Sequence, residues 1–250
     1  MPTISVFTSM TNPDERKDPW RQALSCYEDL ADDVITIGQD FPDEFKWDYF
    51  GEIFQDAFNH AKGDWVFRMD VDYFFHEKDI PNIKRLLKKY STSPAIAFPQ
   101  YQFFTPDRYQ LKTKICLALN KKKFPEIKLN GGGDLVLPTL DNKLIEVSDV
   151  PNSRIPIYQY DSTFRTKKII AEDRARFARA WFRQFGNYGN RGGETPELAF
   201  EAWFSMIKER YTKHTFKFKM KNHPKYICDD LYNLKQEEFK LAGVLILFNN

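Results

Sequence analysis

The chain reads as an α/β protein built on a doubly wound, mostly parallel sheet, and three observations predict this. Apolar β-branched runs alternate with helical-period runs through the first hundred residues. Small polar or acidic residues recur where the predicted strands end. At 250 residues with 42% hydrophobic and 16% aromatic content, there is enough bulk for one substantial core.

The elements follow in order. "TISVFTS" (3–9) is a β-branched and aromatic first strand. The stretch 12–31 is a helix, with Asp18 placed to cap it, Pro19 at its first position, and Trp20, Ala23, Leu24 and Tyr27 at helical spacing. "DDVITIGQDF" (32–41) is a second strand closed by Gly38. A helix over 48–63 repeats the pattern through Phe50, Phe54, Ala57, Phe58 and Ala61, with Gly63 as its stop. "DWVFRM" (64–69) is the third strand, 77–93 a helix and 95–104 a further strand.

Beyond residue 105 the pattern is irregular. Extended pieces are expected over 129–138 and 154–161, and amphipathic helices over 167–185 and 196–211. Between those helices lies the Gly-rich loop "NYGNRGGETP" (187–196). No repeat or long linker divides the chain. It reads as one domain over 1–250, with a nucleotide-binding half to about residue 104 and an acceptor half from about 105.

Charge and cysteine content exclude several classes. A net charge of +2 carries no nucleic-acid signature, so no nucleic-acid partner is expected. Basic residues do concentrate in "LNKKKFPEIK" (119–128) and "KHTFKFKMKNHPK" (213–225), as a solvated face or as a surface meeting an anionic acceptor, a diphosphate or a membrane. Cys26, Cys116 and Cys228 are single and widely spaced, which fits a reducing, cytoplasmic setting better than a disulfide framework. No signal peptide is evident at 1–10. The run "LAGVLILF" (241–248) is too short to span a bilayer, which leaves interfacial membrane contact open.

The chemistry concentrates in "GDWVFRMDVDYFF" (63–75). Asp70 and Asp72 follow a run that reads as a buried strand, and burying a carboxylate is costly unless it is paired or holds a metal. Ligands of doubly wound sheets sit beyond the carboxyl ends of the strands, where Thr8, Ser9, Asp40, Asp70 and Asp72 all fall. Two hard oxygen donors suit Mg²⁺ or Mn²⁺, which takes its other ligands from water and phosphate. The competing reading is a surface turn with capping acids.

"FQDAFNHAKGDWVFRMDVD" resembles the signature of the GT-A glycosyltransferases, most closely family 2, through Ala61, Gly63, Asp64, Asp70 and Asp72. The resemblance covers about residues 3–80 well. It implies a Rossmann-like three-layer α/β/α sandwich and transfer of a sugar from a nucleoside-diphosphate donor, a UDP- or GDP-sugar, to a hydroxyl of a glycan or lipid-linked acceptor. It further implies Mn²⁺ or Mg²⁺ at Asp70 and Asp72, with Asp72 the direct ligand, and Asp40 as a base- or ribose-contacting acid, for which Asp43 and Glu44 are alternatives. The loop "TSMTNPDERKDP" and Tyr73 depart from the family pattern.

An inverting transfer needs a general base. The family's late Glu-Asp pair is matched by Glu172 and Asp173, although Arg174 and Arg176 stand beside them as ion-pair partners. Asp134 in "GGGDLVLP" competes, and Asp161 is a third candidate. His223 in "KNHPKYI" is a candidate third metal or diphosphate ligand, against a structural histidine. Arg191, in the Gly-rich loop, is placed to reach donor phosphates if that loop closes. Trp181 and Trp203 read as core. The other function classes are a sugar-nucleotide nucleotidyltransferase, disfavoured because 7–19 holds no glycine, and a non-catalytic relative acting as a binding module.

Overall fold

The computed structural model describes residues 1–39, 41, 43–130, 137–160 and 162–234. In chain order the strands are β1 (Ile4–Ser9), β2 (Asp33–Ile37), β3 (Trp65–Arg68), β4 (Tyr73–Phe74), β5 (Ala95–Thr105), β6 (Arg108–Leu119), β7 (Lys128–Asn130), β8 (Leu137–Leu140), β9 (Lys143–Leu144), β10 (Ile157–Gln159) and β11 (Thr215–Lys217). The helices are α1 (Trp20–Leu30), α2 (Trp47–His60), α3 (Ile80–Lys89), α4 (Lys167–Phe185), α5 (Pro196–His214) and α6 (Lys225–Asn233).

The central sheet runs β2-β1-β3-β6-β5-β10-β4, with β11 added to β6. β6 and β4 run against the other strands, so the expected α/β class with a mostly parallel sheet is what the chain adopts. A small sheet, β7-β8-β9, is not paired with it but packs against α2 through Leu129 and Leu140. Because β6, β10 and β11 join the strands of the first hundred residues, the sheet extends across the division expected at residue 104.

Alternation on the strands builds two cores. Ile4 and Val6 of β1 face a layer with Tyr27 of α1, Ile83 of α3 and Ile227 of α6. Phe7 faces the opposite layer with Phe54 and Phe58 of α2. Each buried Phe contributes about 2 kcal/mol of transfer free energy. α4 and α5 pack on each other, and Phe104 at the end of β5 joins them through Ile170 and Trp203. Trp203 is core as expected.

Several local expectations shift. Pro19 is the cap of α1 rather than its first residue, and Asp18 makes no cap bond because arginines hold its carboxylate. α2 ends at His60, before Gly63. Gly63 instead meets β1: a Cβ there would lie 2.4 Å from the Ser5 nitrogen. Its N–H donates to the Ser5 hydroxyl at 2.8 Å, and Asp64 accepts from the Thr3 N–H and pairs with Lys122. The Ala-x-Gly-Asp motif thus registers β3 against β1.

The largest difference is β6. Its Tyr109, Leu111, Thr113, Ile115, Leu117 and Leu119 do alternate, but interspersed lysines blur the pattern, and bulges interrupt its pairing with β5. Downstream, α4 starts where the Thr166 hydroxyl accepts from the Ile169 N–H and stops at Gly186, whose φ is 71°.

Candidate functional site

β1 is flanked by β2 on one side and β3 on the other, and the connecting helices α1 and α2 cover opposite faces. This strand-order reversal is where an open α/β sheet leaves a crevice. A cavity of about 280 Å³ opens there. Ser9 ends β1 on its wall, and Asp70 and Asp72 line it just beyond β3.

The turn carrying the two aspartates is held from beneath. The buried Tyr27 hydroxyl shares its single proton between the carbonyl oxygens of Asp70 (2.5 Å) and Tyr73 (3.0 Å). Burial keeps that phenol protonated, with its pKa pushed well above the ordinary value. The Tyr73 N–H closes the turn on the Asp70 carbonyl at 2.8 Å, and the Tyr160 N–H donates to the Asp72 carbonyl at 3.0 Å.

The two carboxylates have different surroundings. Asp70 accepts from Arg68 Nη2 at 3.0 and 3.1 Å, and that guanidinium lies over the Phe54 ring. Asp72 is buried and accepts from the Gln159 amide at 3.5 Å. Gln159 in turn accepts from Lys112 Nζ at 3.3 Å. An ammonium can only donate, so the Gln159 oxygen faces Lys112 and its NH₂ faces Asp72.

Opposite stands a charged wall that sequence reasoning had not assembled. Asp18 accepts from Arg16 at 3.1 Å and from Arg165 at 2.6 Å. Asp173 accepts from the same two arginines, at 2.8 and 3.2 Å, and also from Arg176. Arg16, Asp18, Arg165 and Asp173 therefore close a ring of ion pairs, all on the cavity wall, that ties the loop after β1 to the first turns of α4. The signal was present as Asp18, Arg165 and the Arg-flanked Asp173, but residues 147 and 157 positions apart do not declare their pairing.

The third wall is aromatic. Phe50 stacks on Phe41 at 4.5 Å and on Phe45 at 4.4 Å, and Phe177 meets Phe45 edge-on at 5.8 Å. Asp43 lines the cavity beside them. Glu44 turns away to Arg179 and Arg183, whose hydrogen bonds hold its carboxyl below the usual range.

The remaining candidates fall elsewhere. Thr8 alternates to the face away from Ser9 and is fully buried, its hydroxyl without a hydrogen-bond partner among the described residues. Arg191 stacks on Trp181, 3.3 Å from the ring centroid, and is not on the cavity wall. His223 is buried between Phe103 and Phe218. Its Nε2 donates to the Pro106 carbonyl at 2.7 Å, so Nδ1 accepts from the Tyr160 hydroxyl at 2.7 Å. Both ring nitrogens are thereby engaged, and the structure does not bring His223 to the two aspartates. Burial pulls its pKa down to about 4. Asp40, Asp134 and Asp161 lie outside the described residues. Among the described residues no group of three or more His, Cys, Asp or Glu side chains is placed to hold a metal.

No family model matches the chain, and no curated protein matches it. Among solved structures it is similar to residues 1–349 of S. aureus TarS in complex with UDP-GlcNAc, at 9% identity and a TM-score of 0.39, covering 84% of this chain and 74% of that one. It is also similar to the mannosyltransferase PcManGT from Pyrobaculum calidifontis in complex with GDP-Man and Mn²⁺, at 11% identity and a TM-score of 0.36, covering 100% of this chain and 88% of that one. At TM-scores of 0.39 and 0.36 these likenesses carry no argument about the site, which stands on its own side chains. No helix among the described residues is long and apolar enough to cross a membrane.

Proposed function

We propose that the chain is a metal-dependent glycosyltransferase that moves a sugar from a nucleoside-diphosphate sugar to an acceptor hydroxyl. The observation that carries this reading is the cavity at the strand-order reversal, with Asp70 and Asp72 on a fixed turn between an aromatic and an arginine-rich wall. Two carboxylates are what Mg²⁺ or Mn²⁺ asks of a protein when phosphate and water supply its other ligands.

Asp72, steadied by the Gln159 amide on the cavity wall, would be the direct ligand, with Asp70 beside it on Arg68. The bound cation would neutralise the diphosphate as it leaves. The stacked Phe41, Phe45 and Phe50 offer a flat apolar face to a nucleobase, with Asp43 at its edge. Arg16 and Arg165 are placed to share their donors with the diphosphate oxygens. Inversion with an aspartate base belongs to the same proposal. Asp173 is the candidate base on the described wall, and taking a proton there requires one of its three arginines to turn toward the substrate.

One observation favours a second reading, a non-catalytic donor-binding module: Asp70 and Asp173 are both already ion-paired. Two measurements separate the readings. UDP- and GDP-sugars, each with and without Mn²⁺, should raise the melting temperature, since a ligand at 100 times its dissociation constant stabilises by about 2.7 kcal/mol. Release of nucleoside diphosphate on adding acceptor sugars supports the transferase. A shift without any turnover supports the binding module, and no shift with any donor sinks both.

A further inference from the structure

We infer that the β6–β11 ribbon is a docking surface for an anionic lipid bilayer. β11 adds to the early half of β6, with Phe216 opposite Tyr109. Strand alternation puts Leu111 on that same face, two residues along β6. Leu111 is 54% exposed and Phe216 51% exposed, although Phe216 still leans on the Tyr109 ring at 5.5 Å. Two large apolar side chains therefore stand together in solvent at the end of the sheet.

The charge around them is one-sided. Residues 208–221 hold six Lys or Arg against one acid, Glu209, whereas alternation turns Arg108, Lys112 and Lys217 to the opposite face of the ribbon. Lys213, Lys219 and Lys221, outside the paired strands and flanking β11 in the chain, are all exposed. Lysines alone on an edge strand guard it against pairing with other chains. A half-exposed Phe and Leu do the reverse, because they leave apolar area that water disfavours. Basic residues framing exposed apolar ones are what a negatively charged headgroup layer over acyl chains takes up. Neither a nucleic acid nor an acidic peptide accounts for the exposed Leu111.

The surface stands independently of the transferase reading, yet it bears on it. Lys112 lies on the opposite face of the same β6 segment and lines the cavity. A ribbon seated on a bilayer would hold the cavity beside that bilayer, within reach of an acceptor carried on a lipid.

The test is co-sedimentation of the full chain with phosphatidylcholine vesicles, with and without phosphatidylglycerol. Binding is expected only with phosphatidylglycerol and should fall steeply with salt. Lys213→Gln, Lys219→Gln and Lys221→Gln should each weaken it roughly fivefold. The pair Leu111→Ser and Phe216→Ser should weaken it while leaving the melting temperature in place. Equal or absent binding to the two vesicle types overturns the inference, as does anionic binding that none of these substitutions changes. Displacement from the vesicles by a short RNA would assign the ribbon to nucleic acid instead. The donor-induced melting shift is read without vesicles, so loss of vesicle binding with that shift intact removes only this inference.

Discussion

The hydroxyl of Tyr27 on α1 lies 2.5 Å from the carbonyl oxygen of Asp70, and through it a helix on one face of the sheet fixes the acidic turn at the cavity. Removing that hydroxyl takes one buried donor away from the Asp70 and Tyr73 carbonyls, and the turn keeps the Tyr73 N–H on the Asp70 carbonyl. Tyr27→Phe should therefore cost about 1–2 kcal/mol of stability and weaken Mn²⁺ binding. Urea unfolding and a metal titration check the two effects together. Unchanged metal affinity would mean that the turn holds its shape without Tyr27.

Gly63 supports the same strand from its other end. A methyl group there meets backbone atoms, Ser5 N at 2.4 Å and the Ile4 carbonyl carbon at 2.7 Å. Gly63→Ala should destabilise by about 3 kcal/mol, because neither neighbour is a side chain that can turn aside. A melting temperature equal to wild type would show that β1 and β3 are less tightly registered than described.

Asp173 separates architecture from catalysis. As the hub of three arginines, Asp173→Asn should cost about 3 kcal/mol, since charges are left without their partner in a half-buried ring. Donor binding should weaken with it as the wall loosens. Turnover lowered by roughly 10²–10⁴ at an unchanged melting temperature would instead make Asp173 the general base and no hub.

His223 predicts the acid limit of the fold. Its pKa is depressed from 6.5 to about 4 by burial, so the unfolded chain takes up a proton that the folded chain refuses. The stabilisation is fully present above pH 6.5 and is lost as the pH falls toward 4, by roughly 3 kcal/mol in all. His223→Asn should flatten that part of the curve of melting temperature against pH. An equal slope in the variant would place the acid sensitivity elsewhere.

The βαβ order, the core faces of α1 and α2 and the position of Asp70 and Asp72 were legible in the chain because each is set by short-range periodicity. What was not legible is long-range. Asp18 looked like a helix cap until Arg16 and Arg165 claimed it. His223 stood open between a metal or diphosphate ligand and a structural histidine, and Pro106 and Tyr160 engage both of its nitrogens. β6 was hidden by lysines whose spacing matters only once β5 lies beside it. In each case local chemistry allowed two roles, and a partner far along the chain decided between them.

The central claim is that Asp72 holds a divalent cation for a nucleoside diphosphate. The most direct measurement is a Mn²⁺ titration followed by electron paramagnetic resonance, with UDP or GDP present, on the wild-type chain and on Asp72→Asn. The account predicts that the wild-type chain takes up Mn²⁺ together with one of the nucleotides, and that Asp72→Asn loses this uptake while keeping its melting temperature. Equal uptake by both proteins, or none by either, would contradict it.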